Sequence, residues 1–214
     1  VEPIQGRAGI REVPLKLMGH LSALCEEHHA LLIFDEIYTG FGRTGEWFAT
    51  DGGLFYPDLI CLGKALTNGF PLSACVGRAT VMDRAWPASE GEAIHTSTYL
   101  GHPVGCAMAL AQLKELKEKK LITHARRLGK KFETMCNRIS IPGARYVGRG
   151  LMAGLAFNEG EGPRVMSAVK EMLQRGYILL PSGEHGNVIT FSPPLTITEK
   201  QLERALVALQ KVMA

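Results

Sequence analysis

Several things are scarce in this 214-residue chain, and each scarcity excludes a class of protein. Charge of one sign is scarce: 24 Lys plus Arg stand against 21 Asp plus Glu, a formal charge of +3. The densest basic stretch is Lys117, Lys119, Lys120 with Arg126 and Arg127, which reads as a solvated helix face rather than a nucleic-acid or membrane footprint. No apolar run reaches the roughly 18–20 residues of a membrane span, and Val1-Glu2-Pro3 does not read as a signal peptide. A soluble, cytoplasmic protein is therefore expected. Cysteines number five, an odd count with no C-x-x-C pair and no histidine at ligand spacing, which argues against a disulfide framework or a zinc site. No metal site is expected. Cys25, Cys61, Cys75 and Cys106 sit among apolar neighbours and read as core filler. Repeats and low-complexity segments are absent, and 46% hydrophobic with 21% charged residues is the composition of an ordinary globular protein of one large or two small domains.

What is present is an α/β pattern. Residues 14–29 carry Leu17, Met18, Leu21, Leu24 and Cys25 at helical spacing. Leu31 to Phe34 is an unbroken apolar run of the kind buried in a parallel sheet. Leu59 to Leu62 and Leu72 to Val76 repeat it, with too little chain between them for a full helical crossover, so a mixed or hairpin-like connection is expected. Pro103 to about Leu121 predicts a long helix, and a second helical stretch runs to about Ile139. Beyond Pro142-Gly143 the pattern changes to a strand over Tyr146 to Phe157, a helix over 162–175, short strands at Tyr177 to Leu180 and Val188 to Phe191, and a final helix. Thr198 with Gln201 is the capping-box signature for that helix. The chain divides near 140, into a mostly parallel α/β unit (1–140) with a connector helix and an α+β unit (141–214).

Three features bear on chemistry. Gly40-Phe41-Gly42-Arg43-Thr44-Gly45 fits G-x-G-x-x-G, but Asp35 to Thr39 separates it from the strand, no helix pattern follows, and the next strand ends in Gly63-Lys64 without an acid. It reads as a tight loop rather than a dinucleotide site. Asp35 directly follows four apolar residues, at the strand end where α/β sheets bind ligands; a carboxylate there calls for a cationic partner. Lys64 follows Gly63 at the next strand end. Both groups then emerge at one sheet edge, where an amine can form a Schiff base and a carboxylate can neutralise a protonated pyridine nitrogen. His95, His102 and His185 read as local hydrogen-bonding residues, Ser182 to Asn187 as a turn, and Trp47 and Phe48 as core.

At these residues the chain resembles the class III (subgroup II) pyridoxal-phosphate aminotransferases of fold type I. The likeness runs through Val1-Glu2-Pro3-Ile4-Gln5-Gly6, Phe34-Asp35-Glu36-Ile37, Thr39 to Gly45, Pro57-Asp58, Gly63-Lys64-Ala65-Leu66, Ser97 to Pro103 and Phe191-Ser192-Pro193-Pro194-Leu195. It covers nearly the whole chain in order. The resemblance implies the C-terminal half of such an enzyme, with part of the large domain and all of a small closing domain. It implies pyridoxal 5'-phosphate carried by Lys64 as a Schiff base, Asp35 on the pyridinium nitrogen, Ile37 against the ring, and Tyr38 where the family often has a glutamine reaching the cofactor's 3-hydroxyl oxygen. Thr98 is similar to the threonine that reaches the phosphate of the neighbouring subunit, so a homodimer with shared active sites is implied. The implied reaction moves an amino group between an amine or amino acid and a 2-oxo acid or aldehyde. Related aminomutase, epimerase and decarboxylase chemistry begins the same way, and a non-catalytic truncated fragment is a rival.

Two departures occur together. Where members acting on α-amino acids or glutamate often have an arginine that binds a carboxylate, this chain has Thr190; where an acid can pair with that arginine, it has Arg7. A substrate carboxylate is then expected at Arg7, or the amino donor lacks one there. The family's phosphate loop and the aromatic that stacks on the cofactor lie in a preceding half, so residues 1–214 alone are expected to hold the cofactor weakly.

Overall fold

The computed structural model describes residues 1–51, 55–89, 91 and 95–214. The chain starts with two short antiparallel strands, β1 (Ile4–Gln5) and β2 (Arg11–Glu12), and continues through helix α1 (Leu15–Glu27) into β3 (Ile33–Asp35). Val1 lies along β3, its carbonyl accepting from the Asp35 N–H at 2.8 Å and its amino group bonding the Ile33 carbonyl. β4 (Leu59–Leu62) pairs parallel to β3, and β5 (Ala74–Gly77) pairs antiparallel to β4. Among the described residues one of the two pairings of this sheet is thus parallel. The other is antiparallel because the eleven residues from Gly63 to Ser73 fall short of a crossover. A short helix α2 (Ala79–Ala85), which the sequence pattern does not announce, follows.

α3 (Pro103–Glu118) starts on Pro103 and α4 (Leu121–Arg138) follows after a left-handed Lys120. The predicted strand over 146–157 is in fact a hairpin, β6 (Arg145–Arg149) and β7 (Met152–Ala156), turning at Gly150 with φ +63°. Gly148-Arg149-Gly150 interrupts the apolar pattern at this turn, with Leu151 beyond it fully buried, so the break is a turn signal that the single-strand expectation passed over. α5 (Gly162–Gln174) leads to β8 (Leu180–Ser182), which begins where the predicted strand was to end, and then to β9 (Val188–Phe191) and α6 (Glu199–Met213). The second sheet runs β6-β7-β9-β8, all antiparallel. Thr198 and Gln201 form the reciprocal capping box that opens α6.

The largest core lies on one face of this second sheet. Leu121, Ala125, Leu128, Phe132 and Cys136 recur at steps of three and four along α4. Most of that face joins Val165, Ala168 and Met172 of α5 and Leu202, Leu206 and Leu209 of α6. Cys136 is the cysteine that serves as core. Cys25 packs at the edge of the Met18, Leu32 and Phe34 cluster and Cys61 is half-buried, whereas Cys75 and Cys106 are exposed, which corrects the reading of the last two as filler: apolar neighbours in sequence alternate between the two faces of a strand or circle a helix, so they do not enclose a thiol. Burial pushes the Cys136 thiol up to about 12.

Candidate functional site

The residues singled out in the sequence fall at the ends of β3 and β4. In the parallel register Asp35 pairs with Cys61 and Lys64 follows three residues on, so carboxylate and amine leave the sheet at one edge. Asp35 is half-buried. Its Oδ1 accepts from the Ile37 N–H at 3.0 Å, and Oδ2 has no hydrogen bond or ion pair among the described residues. Across the register the Cys61 thiol is pushed up, first by burial and then by Cys75 and Asp35 beside it.

Lys64 opens a 3₁₀ turn, Lys64–Leu66, with φ +38°. A lysine in the left-handed region is uncommon, and such strain persists only where surrounding structure imposes it. Leu66 N–H and Asn68 N–H bond the Gly63 and Lys64 carbonyls, and the Thr67 hydroxyl bonds the Phe70 carbonyl. The turn therefore holds the lysine backbone while the side chain stays exposed. The amine makes no ion pair among the described residues and lies over the Tyr38 ring, 4.8 Å from its centroid. Ile37 is close to Gly63, whose missing side chain leaves ordinary contact distance: a Cβ there would meet Ile37 Cγ2 at 3.4 Å.

Tyr38 is brought to Lys64 on one side and to Ser192 on the other, its hydroxyl 2.5 Å from Ser192 Oγ. Thr190, two residues before Ser192 on the same side of the strand, is buried, and its hydroxyl is 2.6 Å from Ser182 Oγ. Arg7 lies in the loop between β1 and β2. Its carbonyl accepts from the Gly183 N–H, and its preceding residue Gly6 abuts the Tyr38 ring. The Arg7 side chain is exposed, has no ion-pair partner among the described residues, and faces a cavity of about 910 Å³ shared with Arg11, Arg145, Glu159, Glu184 and His185. Thr98 is exposed on a turn at 98–101 and does not join the others. His95 stacks edge-on with Trp86, His102 lies beside the Phe70 and Tyr99 rings, and His185 is 3.7 Å from Glu159. No cluster of metal-binding side chains occurs among the described residues, and none of their helices is long and apolar enough to cross a membrane.

The glycine loop is a junction between the two sheets. Gly42 and Gly45, both at φ +89°, let the loop approach α4, where a Cβ on Gly45 would lie 2.8 Å from Arg126 Cα. Three arginines fasten it: Arg43 to the Leu151 and Pro193 carbonyls, Arg126 to Glu46 and the Gly45 carbonyl, and Arg149 to the Ala49 carbonyl and Glu12. Burial pulls the Arg43 guanidinium below its usual value, with Tyr38 acting the other way. Glu36, which the sequence reading passes over, is fully buried. It accepts from the Ala49 N–H (3.0 Å), the Thr50 N–H (3.0 Å) and hydroxyl (2.9 Å), and the Thr39 hydroxyl. A carboxylate so buried needs these donors, and they fix the turn from which Ile37 and Tyr38 point. Its signal in the sequence is an acid beside Asp35 followed by hydroxyl residues, too common a pattern to single out.

A sequence profile of the family described as "Aminotransferase class-III" matches residues 1–213. Ornithine aminotransferase 2 of Staphylococcus aureus is 40% identical over 214 residues, covering 99% of this chain and 51% of the relative. 5-Aminovalerate aminotransferase of Pseudomonas aeruginosa is 36% identical over 219 residues, covering 98% and 50%. Among solved structures, ornithine aminotransferase of Toxoplasma gondii, described with partial occupancy of PLP at its active site, superposes with a TM-score of 0.86 at 35% identity, covering 100% of this chain and 50% of that one. The chain thus spans about half the length of the relatives it matches, and its fold is the type I fold of these transaminases.

Proposed function

Because this chain belongs to the class III aminotransferases, we propose that the Lys64 edge is the reaction centre of a transaminase. It moves an amino group between an amine or amino acid and a 2-oxo acid or aldehyde, with pyridoxal 5'-phosphate as cofactor. The observation that carries this reading is one carboxylate oxygen on Asp35 and one amine on Lys64, each without a hydrogen-bond or ion-pair partner among the described residues, at adjacent ends of a parallel strand pair. These two groups fit the two reactive ends of a pyridinium aldehyde: an anion for the ring nitrogen and a nucleophile for the carbonyl carbon. When bound, the cofactor supplies the electron sink for the substrate carbon.

The chain's own residues do the rest. Asp35 Oδ2 would hold the proton on the ring nitrogen, and Ile37 would pack against the ring. Lys64 would hold the cofactor at its carbonyl carbon, and once the substrate amine has displaced it, its freed Nζ would take a proton from the substrate carbon that bears the amino group and deliver it to that former carbonyl carbon. Thr98 reaches the phosphate in a partner subunit, which makes the working form a homodimer with shared sites, as the exposed position of Thr98 on its turn allows. Arg7 binds a substrate carboxylate. The support is that Thr190 is buried and committed to Ser182, whereas the Arg7 guanidinium is exposed and unpaired next to the residue that touches Tyr38. Ornithine and 5-aminovalerate, the donors in the relatives' names, each carry a terminal amine and a distant carboxylate, which suits an amine at Lys64 and a guanidinium at Arg7. We further propose a cytoplasmic enzyme in which residues 1–140 belong to the large domain and 141–214 form the small one, with the long helix α3 as connector; α4, inside 1–140, packs its apolar face on the core of the second sheet.

The test is borohydride reduction of the full-length protein with pyridoxal phosphate, followed by peptide mass analysis, alongside the stoichiometry of oxo-acid consumption. Cofactor mass on the Lys64 peptide with one oxo acid consumed per amino donor converted supports transamination. Label elsewhere, or amine turnover without oxo-acid consumption, overturns it.

A further inference from the structure

The proposed chemistry needs the Lys64 amine held in place, yet the amine has no carboxylate or carbonyl partner among the described residues. What it has is the Tyr38 ring, at 4.8 Å, within the reach of about 6 Å over which an aromatic face attracts an ammonium group. The ring is held from three directions. Its edge fills the space left by Gly6, where a Cβ would come within 2.3 Å of Tyr38 Cε1. It packs against the cluster of Ile4, Ile10 and Met152. Its hydroxyl is paired with Ser192, just past the end of β9. These contacts come from three elements: Ile4, Gly6 and Ile10 from the β1–β2 segment, Met152 from β7 and Ser192 from the exit of β9.

We infer that Tyr38 is a positioning residue for Lys64, with Ser192 positioning Tyr38 in turn. The reactive amine, which belongs to the three-stranded sheet, is thereby aligned by the four-stranded one. The inference rests on the reading of Lys64 as the reactive amine, but it concerns a contact that exists without cofactor, so it is tested without cofactor.

The experiment acetylates the cofactor-free, full-length protein with limiting acetic anhydride at fixed pH. The rate at Lys64 is read by mass spectrometry against exposed Lys170 in the same molecule. Because only the neutral, freely moving amine reacts, Tyr38→Leu is expected to raise the Lys64 to Lys170 rate ratio about two- to fivefold, the effect of an exposed cation–π contact. Ser192→Ala and Tyr38→Phe are expected to raise the ratio by smaller, equal factors, and the double variant by no more than either alone. An unchanged ratio in Tyr38→Leu overturns the inference, as does a Ser192→Ala effect that persists at full size in the Tyr38→Leu background. Should Tyr38→Leu lose the wild-type circular dichroism spectrum, the Tyr38→Phe and Ser192→Ala pair decides: equal, non-additive rises support the inference and no rise in either overturns it. Cofactor trapping at Lys64 is read separately, so failure of the transaminase reading is distinguishable from failure of this one.

Discussion

The two sheets of this chain are covered to different degrees. In the four-stranded sheet every residue of β7 and of β9 is buried, under α4, α5 and α6 on one side and the Ile4–Ile10 segment on the other. In the three-stranded sheet β3 has one buried residue and β5 has none. The half-covered face of the latter carries Ile33, Asp35, Leu59, Cys61 and Cys75, every second residue of each strand. The C-terminal one completes its own core within these residues; the lysine-bearing one does not, in a chain that spans about half the length of the relatives it matches, and it carries Asp35 and Lys64 at one edge.

Substitutions on either side test that division. The largest expected effect is chemical. Lys64→Ala lowers transamination by the full-length enzyme about a thousandfold, yet leaves the melting temperature of the cofactor-free protein unchanged because the side chain is exposed. A matching loss of thermal stability would erase the separation. On the other sheet Leu128→Ala, at a fully buried position, is expected to cost about 2–5 kcal/mol in urea unfolding with the Lys64 to Lys170 acetylation ratio intact. Glu36→Ala sits on the boundary. It strands the donors of Ala49 and Thr50, costs about 3 kcal/mol, and also raises the acetylation ratio, because the turn bearing Tyr38 loosens. The smallest effect is at the α6 cap, where Thr198→Ala removes the bond to the Gln201 N–H and costs about 1 kcal/mol without touching Lys64 chemistry.

Cys136 adds a pH-dependent test of the same contrast. Its folded pKa is raised from the ordinary 9.0 to about 12. The folded state therefore keeps its proton where the unfolded state has lost it, so this contribution is fully present below pH 9 and is lost as pH rises towards 12. Urea midpoints are expected to fall between pH 9 and 11, and to fall less in Cys136→Ala. An equal fall in both would show that the thiol plays no part. At pH 9 iodoacetamide is expected to label exposed Cys75 and Cys106 in the native protein and Cys136 only after unfolding.

Much of the C-terminal unit was legible because its patterns are punctuated: α6 by Thr198 and Gln201, β9 by its short apolar run. The hairpin of β6 and β7 was not read, although Gly148-Arg149-Gly150 marks it, because apolar residues on both sides, Tyr146-Val147 and Leu151-Met152, read as one continuous strand. In the site, Asp35 and Lys64 were found because each ends an apolar strand, and the glycine motif was set aside for want of a following helix, consistent with its role against α4. Tyr38 on Lys64, Ser182 on Thr190 and the carboxylate of Glu36 inside the 39–50 loop were not legible. Each joins residues whose partners are set by how segments pack, not by spacing along the chain.

The sequence by itself determined the family, the α/β class and the emergence of an acid and an amine at neighbouring strand ends, because these follow from local apolar runs and from motifs in order. The tertiary structure alone decided which oxygen of Asp35 has a partner among the described residues, that Thr190 is committed to Ser182, and that the lysine amine rests on an aromatic ring fastened to the other sheet. Those are distances between groups far apart in the chain, such as Tyr38 and Ser192. Only the packing of the two sheets against a shared loop sets them.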